Sequence, residues 1–231
     1  MGSRSCRSAQ TSRLRLSPVP NLPLIAHHIV WTGYGGWLPN DPRGSFSREI
    51  GSEKISQLGN PHYGRRRKQP TRQIVNEFQS EARQVLKYPL LKFTQQQFEI
   101  IADGFSDAIR MHSYTCYACA ILPNHVHLLI RKHRHKAEQM IEILQEASRL
   151  RISRARIADP DHPIWTVGGW KAFLHHPDAI RRVIRYIENN PAKERLPMQH
   201  WDFVQPYDGW PLHPGHNPNT PYAKRLREQR D

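Results

Sequence analysis

Acidic residues are scarce in this chain. Its 231 residues hold 20 Asp+Glu against 34 Lys+Arg, a formal charge of +14 with the 14 histidines counted as neutral. Such a surplus argues against a polycationic partner and points to a polyanion, most simply a nucleic acid. Cysteine is rarer still: Cys6, Cys116 and Cys119 are too few and too oddly placed for a disulfide scaffold, which favours a reducing compartment. No apolar run approaches the roughly 18 residues that a membrane-spanning helix needs, so no membrane role is expected. No internal repeat is visible. At 38% hydrophobic residues the chain has enough apolar material for an ordinary core, and its length suits one domain with extensions.

Residues 1–24 carry four arginines, no acid and no apolar periodicity, and read as a disordered basic tail, with a transit peptide as the alternative. Ordered structure is expected over 25–195. A β-branched and aromatic run predicts a strand near 27–33, closed by "GYGG". Residues 40–90 read as a long loop or insertion containing the cationic block Arg65, Arg66, Arg67 and Lys68, either solvated or in contact with phosphates. Phe98, Ile101, Phe105, Ala108 and Ile109 recur at helical spacing and predict a helix over 95–112, with Gly104 as a weak point. "YTCYACAILPNHVHLLIRK" predicts two antiparallel strands meeting at Pro123-Asn124. Helices are expected at 136–157 and from Asp178 to the stop at Pro191, with an aromatic strand around Gly168-Gly169 between them. Residues 196–231 read as a Pro-rich tail. The order β-α-β-β-α-β-α predicts an α+β, ferredoxin-like split βαβ domain, an antiparallel sheet with helices on one face and an extra C-terminal helix.

Two features could carry chemistry. On a strand, His125 and His127 project from one face about 7 Å apart along the chain, while Val126, Leu128 and Ile130 turn into a core. Two such imidazoles could hold a divalent ion, or could be surface histidines. In the last helix Ile180, Val183, Ile184 and Ile187 form the core stripe, and Tyr186 lies about 120° from its centre. Arg182 and Asn190 stand four residues before and after it. Tyr186 is thus either a boundary residue or a nucleophile, with Asn190 offering an amide oxygen to the same ion. A metal-polarised phosphodiester facing a tyrosine would suit transesterification. Arg131, Lys132, Arg182 and Arg185 bring cations near these elements, and tryptophans and tyrosines interleave with them, as in single-strand binding grooves. Cys116 and Cys119, three apart, are expected on opposite strand faces as core residues rather than as a zinc or redox pair.

"ILPNHVHLLI", "IWTVGGWKAFL" and "IRRVIRYIENNP", in that order, resemble the single-tyrosine HUH transposases, in particular the REP-associated (IS200-like) tyrosine transposases. The likeness covers about residues 27–195. It implies a catalytic domain over 25–195, Mg²⁺ or Mn²⁺ on His125 and His127 with Asn190 nearby, and Tyr186 forming a 5′-phosphotyrosine on single-stranded or hairpin DNA. It implies a cytoplasmic, nucleoid-associated transposase, as a monomer or a weak dimer. A non-catalytic relative that only holds hairpins is the alternative, and a hydrolytic metal phosphoesterase is a third reading.

Overall fold

The computed structural model describes residues 24–45, 47–64, 66–211 and 220–228. In chain order the elements are β1 (Ala26–Thr32), α1 (Glu53–Ser56), α2 (Arg72–Val85), α3 (Gln95–His112), β2 (Cys116–Ile121), β3 (His125–Arg131), α4 (Ala137–Arg154), β4 (Trp170–Leu174), α5 (Pro177–Glu188), α6 (Asn190–Lys193) and α7 (Pro221–Glu228). The strands form one sheet in the order β2-β3-β1-β4, every neighbouring pair antiparallel. This is the expected α+β split βαβ arrangement.

Alternation along the strands sorts the side chains into two cores. Ile29, Trp31, Val126, Leu128 and Ile130 face α3 and α4 and pack with Phe98, Ile101, Phe105, Met140 and Leu144. Ala26, Ala118, Ala120 and Leu129 face the other way and are covered by Ile180 and Ile187 of α5. The additional helix therefore occupies the face opposite to α3 and α4. Its start is set by Pro177 in the first turn and by the His176 side chain, which accepts from the Asp178 backbone N–H at 3.3 Å.

α3 begins with a reciprocal Thr94–Gln97 capping box. Gly104, a weak point by helix propensity, has a packing reason. A Cβ there would lie 2.5 Å from Ser148 Cα and 2.7 Å from Ser148 N, so glycine is what lets α3 and α4 cross this closely.

Three expectations need correction. Cys116 and Cys119 lie in the same core rather than on opposite faces. The pairing slips between Cys116 and Ala118, leaving Tyr117 as an extra residue, and this bulge inverts the alternation. Both thiols are buried and free, as core cysteines should be. The 40–90 segment is not simply loop: it contains α1 and α2, the latter capped by the Thr71 side chain accepting from Ile74 N–H. Before α1 it is pinned by buried Asp41, which takes a two-pronged bond from Arg43 at 2.8 and 2.6 Å, while Arg43 lies over the Trp37 ring at 3.9 Å. The described part of 196–231 is likewise more than a Pro-rich tail, holding α7 and contacts to the sheet edge. β2 is an edge strand, and Gln199 bonds both the N–H and the carbonyl of Ile121 while Gln205 N–H donates to the Cys116 carbonyl. These contacts satisfy backbone groups that an open edge would expose. Residues 1–23 of the basic segment lie outside the described residues.

Candidate active site

His125 and His127 point from β3 toward the α5 face, with ring centroids 5.0 Å apart. His127 is 6% exposed. β1 contributes a third histidine. The register pairs Val30 with His127, so His28, two residues earlier, is the diagonal neighbour of His127 on the same face. Its Nε2 is 3.1 Å from His127 Nδ1 and the two rings stack at 5.3 Å. Above them stands Tyr186, its ring centroid 5.7 Å from His127 and 6.1 Å from His28. With 46% of its surface exposed, Tyr186 is both seated on the histidines and open to solvent.

The electrostatics keep the imidazoles neutral. Burial pushes His28 down to about 4. Burial also pushes His127 far down, helped by neighbouring His125, His28 and the Lys193 ammonium. His125 is lowered by burial, against the opposing field of Glu194. Neutral imidazole is the metal-binding form, and His125 and His127 each have Nδ1 engaged, while His28 meets His127 through its Nε2. His125 Nδ1 pairs with Asn124 Oδ1 at 2.7 Å, so it must be the protonated nitrogen, and His125 Nε2 carries a bare lone pair. His127 presents a bare Nε2 in the same way when its Nδ1–H donates to His28.

Asn190 is the less simple member. α5 ends at Glu188 and Asn190 opens α6, with Pro191 next to it. Asn190 is buried at 6% exposure, while Arg182 stays exposed. The Asn190 Oδ1 accepts from Lys193 Nζ at 3.2 Å, and its Nδ2 is buried with no partner among the described residues. The same Lys193 Nζ lies 4.3 Å from the centroid of the Tyr186 ring. Among the described residues no three His, Cys, Asp or Glu side chains are arranged to hold a metal. The two imidazoles suit a divalent ion only if oxygens, from an amide or from a substrate phosphate, complete its shell.

The cations expected at a nucleic-acid interface are dispersed. Arg182 and Arg185 are exposed on α5, the helix that carries Tyr186. Arg131 and Lys132 lie at the opposite end of β3 from His125, about 20 Å away at roughly 3.4 Å per residue. Arg66, Arg67 and Lys68 are exposed between α1 and α2, where the Arg66 carbonyl accepts from Gln69 Nε2 at 2.8 Å, while Arg65 lies outside the described residues. Of the aromatics, Trp31 and Trp165 are core. Trp170 is 41% exposed and meets His28 edge to face at 5.3 Å, so it borders the site.

Neither His28 nor Lys193 is expected at the site from the sequence. A signal for His28 exists: it stands at an even spacing from Val30 and Thr32 on a strand expected beside the H-x-H. Without the register, however, nothing selects it over His27, which turns to the other face and meets Phe173 at 5.5 Å.

Comparison with known proteins yields no matching family model and no matching curated protein. Among solved structures the chain is similar to a REP-associated tyrosine transposase bound to a REP hairpin, at 11% identity and TM-score 0.41, over 80% of this chain and 74% of that one. It is also similar to a candidate transposase from Deinococcus radiodurans R1, at 12% identity and TM-score 0.33, over 75% of this chain and 95% of that one. At such distances the chemistry has to be argued from the side chains themselves.

Proposed function

We propose that this chain is a tyrosine-dependent DNA endonuclease and strand transferase of the transposase type, acting on single-stranded, hairpin-bearing DNA with Mg²⁺ or Mn²⁺. The observation that carries the reading is the half-exposed Tyr186 ring seated 5.7 Å from His127, over an imidazole pair in which the His125 Nε2 carries a bare lone pair. His125 and His127 would hold the ion, with Asn190 able to add its amide oxygen once Lys193 releases or shares it. When bound, the ion supplies charge stabilisation on the scissile phosphoryl oxygens. The Tyr186 Oη attacks phosphorus in line, an O–P bond forms, and the bond from phosphorus to the 3′ oxygen breaks. The products are a 5′-phosphotyrosine and a free 3′-OH, the phenolic proton leaving with the 3′ oxygen. Arg182 and Arg185 neutralise the flanking backbone, and Trp170 offers an aromatic face beside the site. Such a protein would work on the nucleoid.

The test is a labelled hairpin oligonucleotide pool incubated with Mn²⁺ and run on a denaturing gel. Wild type should give a covalent protein–DNA band, and Tyr186→Phe should lose it entirely while retaining non-covalent binding. A Tyr186→Phe protein that still cuts removes the mechanism. A hairpin-binding protein without catalysis is the second reading, favoured by the Asn190 oxygen being held by Lys193. It calls for tight binding and no covalent band at any metal concentration.

A further inference from the structure

At the end of the sheet away from Tyr186, the chain builds a second cluster that this chemistry does not use. Residues 131–136 leave β3 with alternating exposure: Lys132, Arg134 and Lys136 face solvent, while Arg131, His133 and His135 are half-buried. The inward histidines close around Tyr114, His133 at 4.9 Å and His135 at 5.8 Å between ring centroids, with His112 stacked at 5.5 Å. Burial pushes the Tyr114 hydroxyl up to about 12, so it keeps its proton and can donate to His135 Nδ1 at 2.7 Å.

The His135 backbone N–H in turn donates to His133 Nδ1 at 3.1 Å. That bond fixes the tautomer: a neutral His133 must carry its proton on Nε2, as a donor. His133 is itself held below its ordinary value, by burial first and then by His135, Arg134 and His112, so this neutral donor form is the one present near pH 7.

Ser113, Arg131, Lys132, His133, Arg134 and Trp210 are among the residues lining a cavity of about 690 Å³. Arg131 lies over the Trp210 ring, 4.7 Å from its centroid, and Asp208 is 3.8 Å from its guanidinium. Among the described residues Lys132 and Arg134 form no ion pair. Three cations and an imidazole N–H around one open cavity suit an anion that only accepts hydrogen bonds, and they repel a metal.

We propose that this cavity is a second phosphodiester-binding site, which takes the backbone of the same DNA strand whose scissile bond lies at Tyr186. The inference rests on the function proposed above. What points to a strand rather than a small anion is α5. Leu174 at the end of β4 pairs with Ala26, which pairs with Arg131, so α5, starting at Pro177, begins at the cavity end of the sheet. It finishes beside His127 and carries exposed Arg181, Arg182 and Arg185 on the way. Its 12 residues span about 18 Å at 1.5 Å each. That matches the separation along β3 and equals about five or six phosphate steps of a duplex strand at roughly 3.4 Å per step. A free phosphate would fill one end; a hairpin stem covers both.

The experiment is fluorescence anisotropy of a labelled hairpin oligonucleotide of about 20 nucleotides across a salt series, with the full chain and a Lys132→Ala/Arg134→Ala double variant. His133→Gln, which keeps an amide donor, and His133→Ala run beside them. Both cations are exposed, so the double variant should melt with wild type, and a melting check confirms it. Loss of two phosphate contacts should flatten the slope of log K against log salt by about 1.4 to 1.8. His133→Ala should weaken hairpin binding several-fold, and His133→Gln should recover much of it. A single-stranded probe of three nucleotides, too short to reach both ends, should lose less affinity in the double variant than the hairpin does. Unchanged slope and affinity for the hairpin would overturn the second site and leave the Tyr186 chemistry standing. An equal loss with the short probe would also overturn it. A wild type that binds no hairpin at all would overturn both readings, and competition by millimolar inorganic phosphate as strong as by hairpin would reduce the cavity to a simple anion site.

Discussion

The contact with His28 governs which nitrogen of His127 carries the proton. If His127 Nδ1–H donates across the 3.1 Å contact to His28 Nε2, the His127 Nε2 is bare and can ligate; if His28 donates instead, the His127 proton sits on Nε2 and the ligand is lost. In the proposed reading His28 is therefore a positioning residue. Substitutions of groups that orient a metal-bound imidazole cost about 10- to 100-fold in metal affinity. His28→Ala should weaken Mn²⁺ binding, followed by paramagnetic resonance of free Mn²⁺, by that order. His28→Gln, whose amide oxygen can accept the same bond, should retain much of the affinity. Equal Mn²⁺ binding in wild type and His28→Ala would detach His28 from the site. Lys193 acts on the same small volume, holding the Asn190 oxygen and lying over the Tyr186 ring, so its movement is what would release Asn190 toward an ion.

Between α3 and α4 the decisive feature is a missing side chain. A methyl group at position 104 would lie 2.5 Å from the Ser148 Cα and 2.8 Å from the Ala147 carbonyl oxygen, both backbone atoms that cannot rotate away. Gly104→Ala should therefore lower stability despite its better helix propensity, by about 1 to 3 kcal/mol as overpacked cores do. A thermal melt against wild type reads this directly, and a higher midpoint in the variant would show that the helices part without cost. α5 is positioned by the opposite means: Ile180 and Ile187 are fully buried against β2 and β3, and this fixes the rotation of the helix and so the direction of Tyr186.

Across the molecule, charge and buried histidines set how the protein responds to its medium. His27 and His28 are both held below 6.5, in each case by burial first; for His27, Glu138 opposes and Lys132 adds to the shift. Between about pH 6.5 and 4 the unfolded chain therefore binds more protons than the folded one. This contribution to stability is complete above pH 6.5 and is lost as pH falls toward 4. The melting midpoint of metal-free protein should drop from pH 7.5 to pH 5, and equal midpoints would contradict the burial of these rings. The charge of +14 is laid out on the same scale: the far-end cavity lies at the end of the sheet where α5 begins, and α5 carries its exposed arginines from there toward the tyrosine.

The four strands, the helices α3, α4 and α5, and their order were legible in the chain, whereas α1, α2, α6 and α7 were not. The apolar stripe of α3, the two strands meeting at Pro123-Asn124 and the stripe of α5 are local periodicities, fixed by how side chains alternate on strands and recur on helices. The pairing of His125 with His127, and the departure of Tyr186 from its stripe, follow from the same geometry. What the sequence could not state depends on contacts between residues far apart along it. The β1–β3 register brings His28 to His127 across 99 positions, and the bulge at Tyr117, set by the pairing of β2 with β3, puts Cys116 and Cys119 in one core. Tertiary pairing also separated Arg131 and Lys132 from the tyrosine and gathered them with His133 and Arg134 around a second cavity. Local periodicity determines which face a residue occupies, but only the packing of one element on another determines what that face meets.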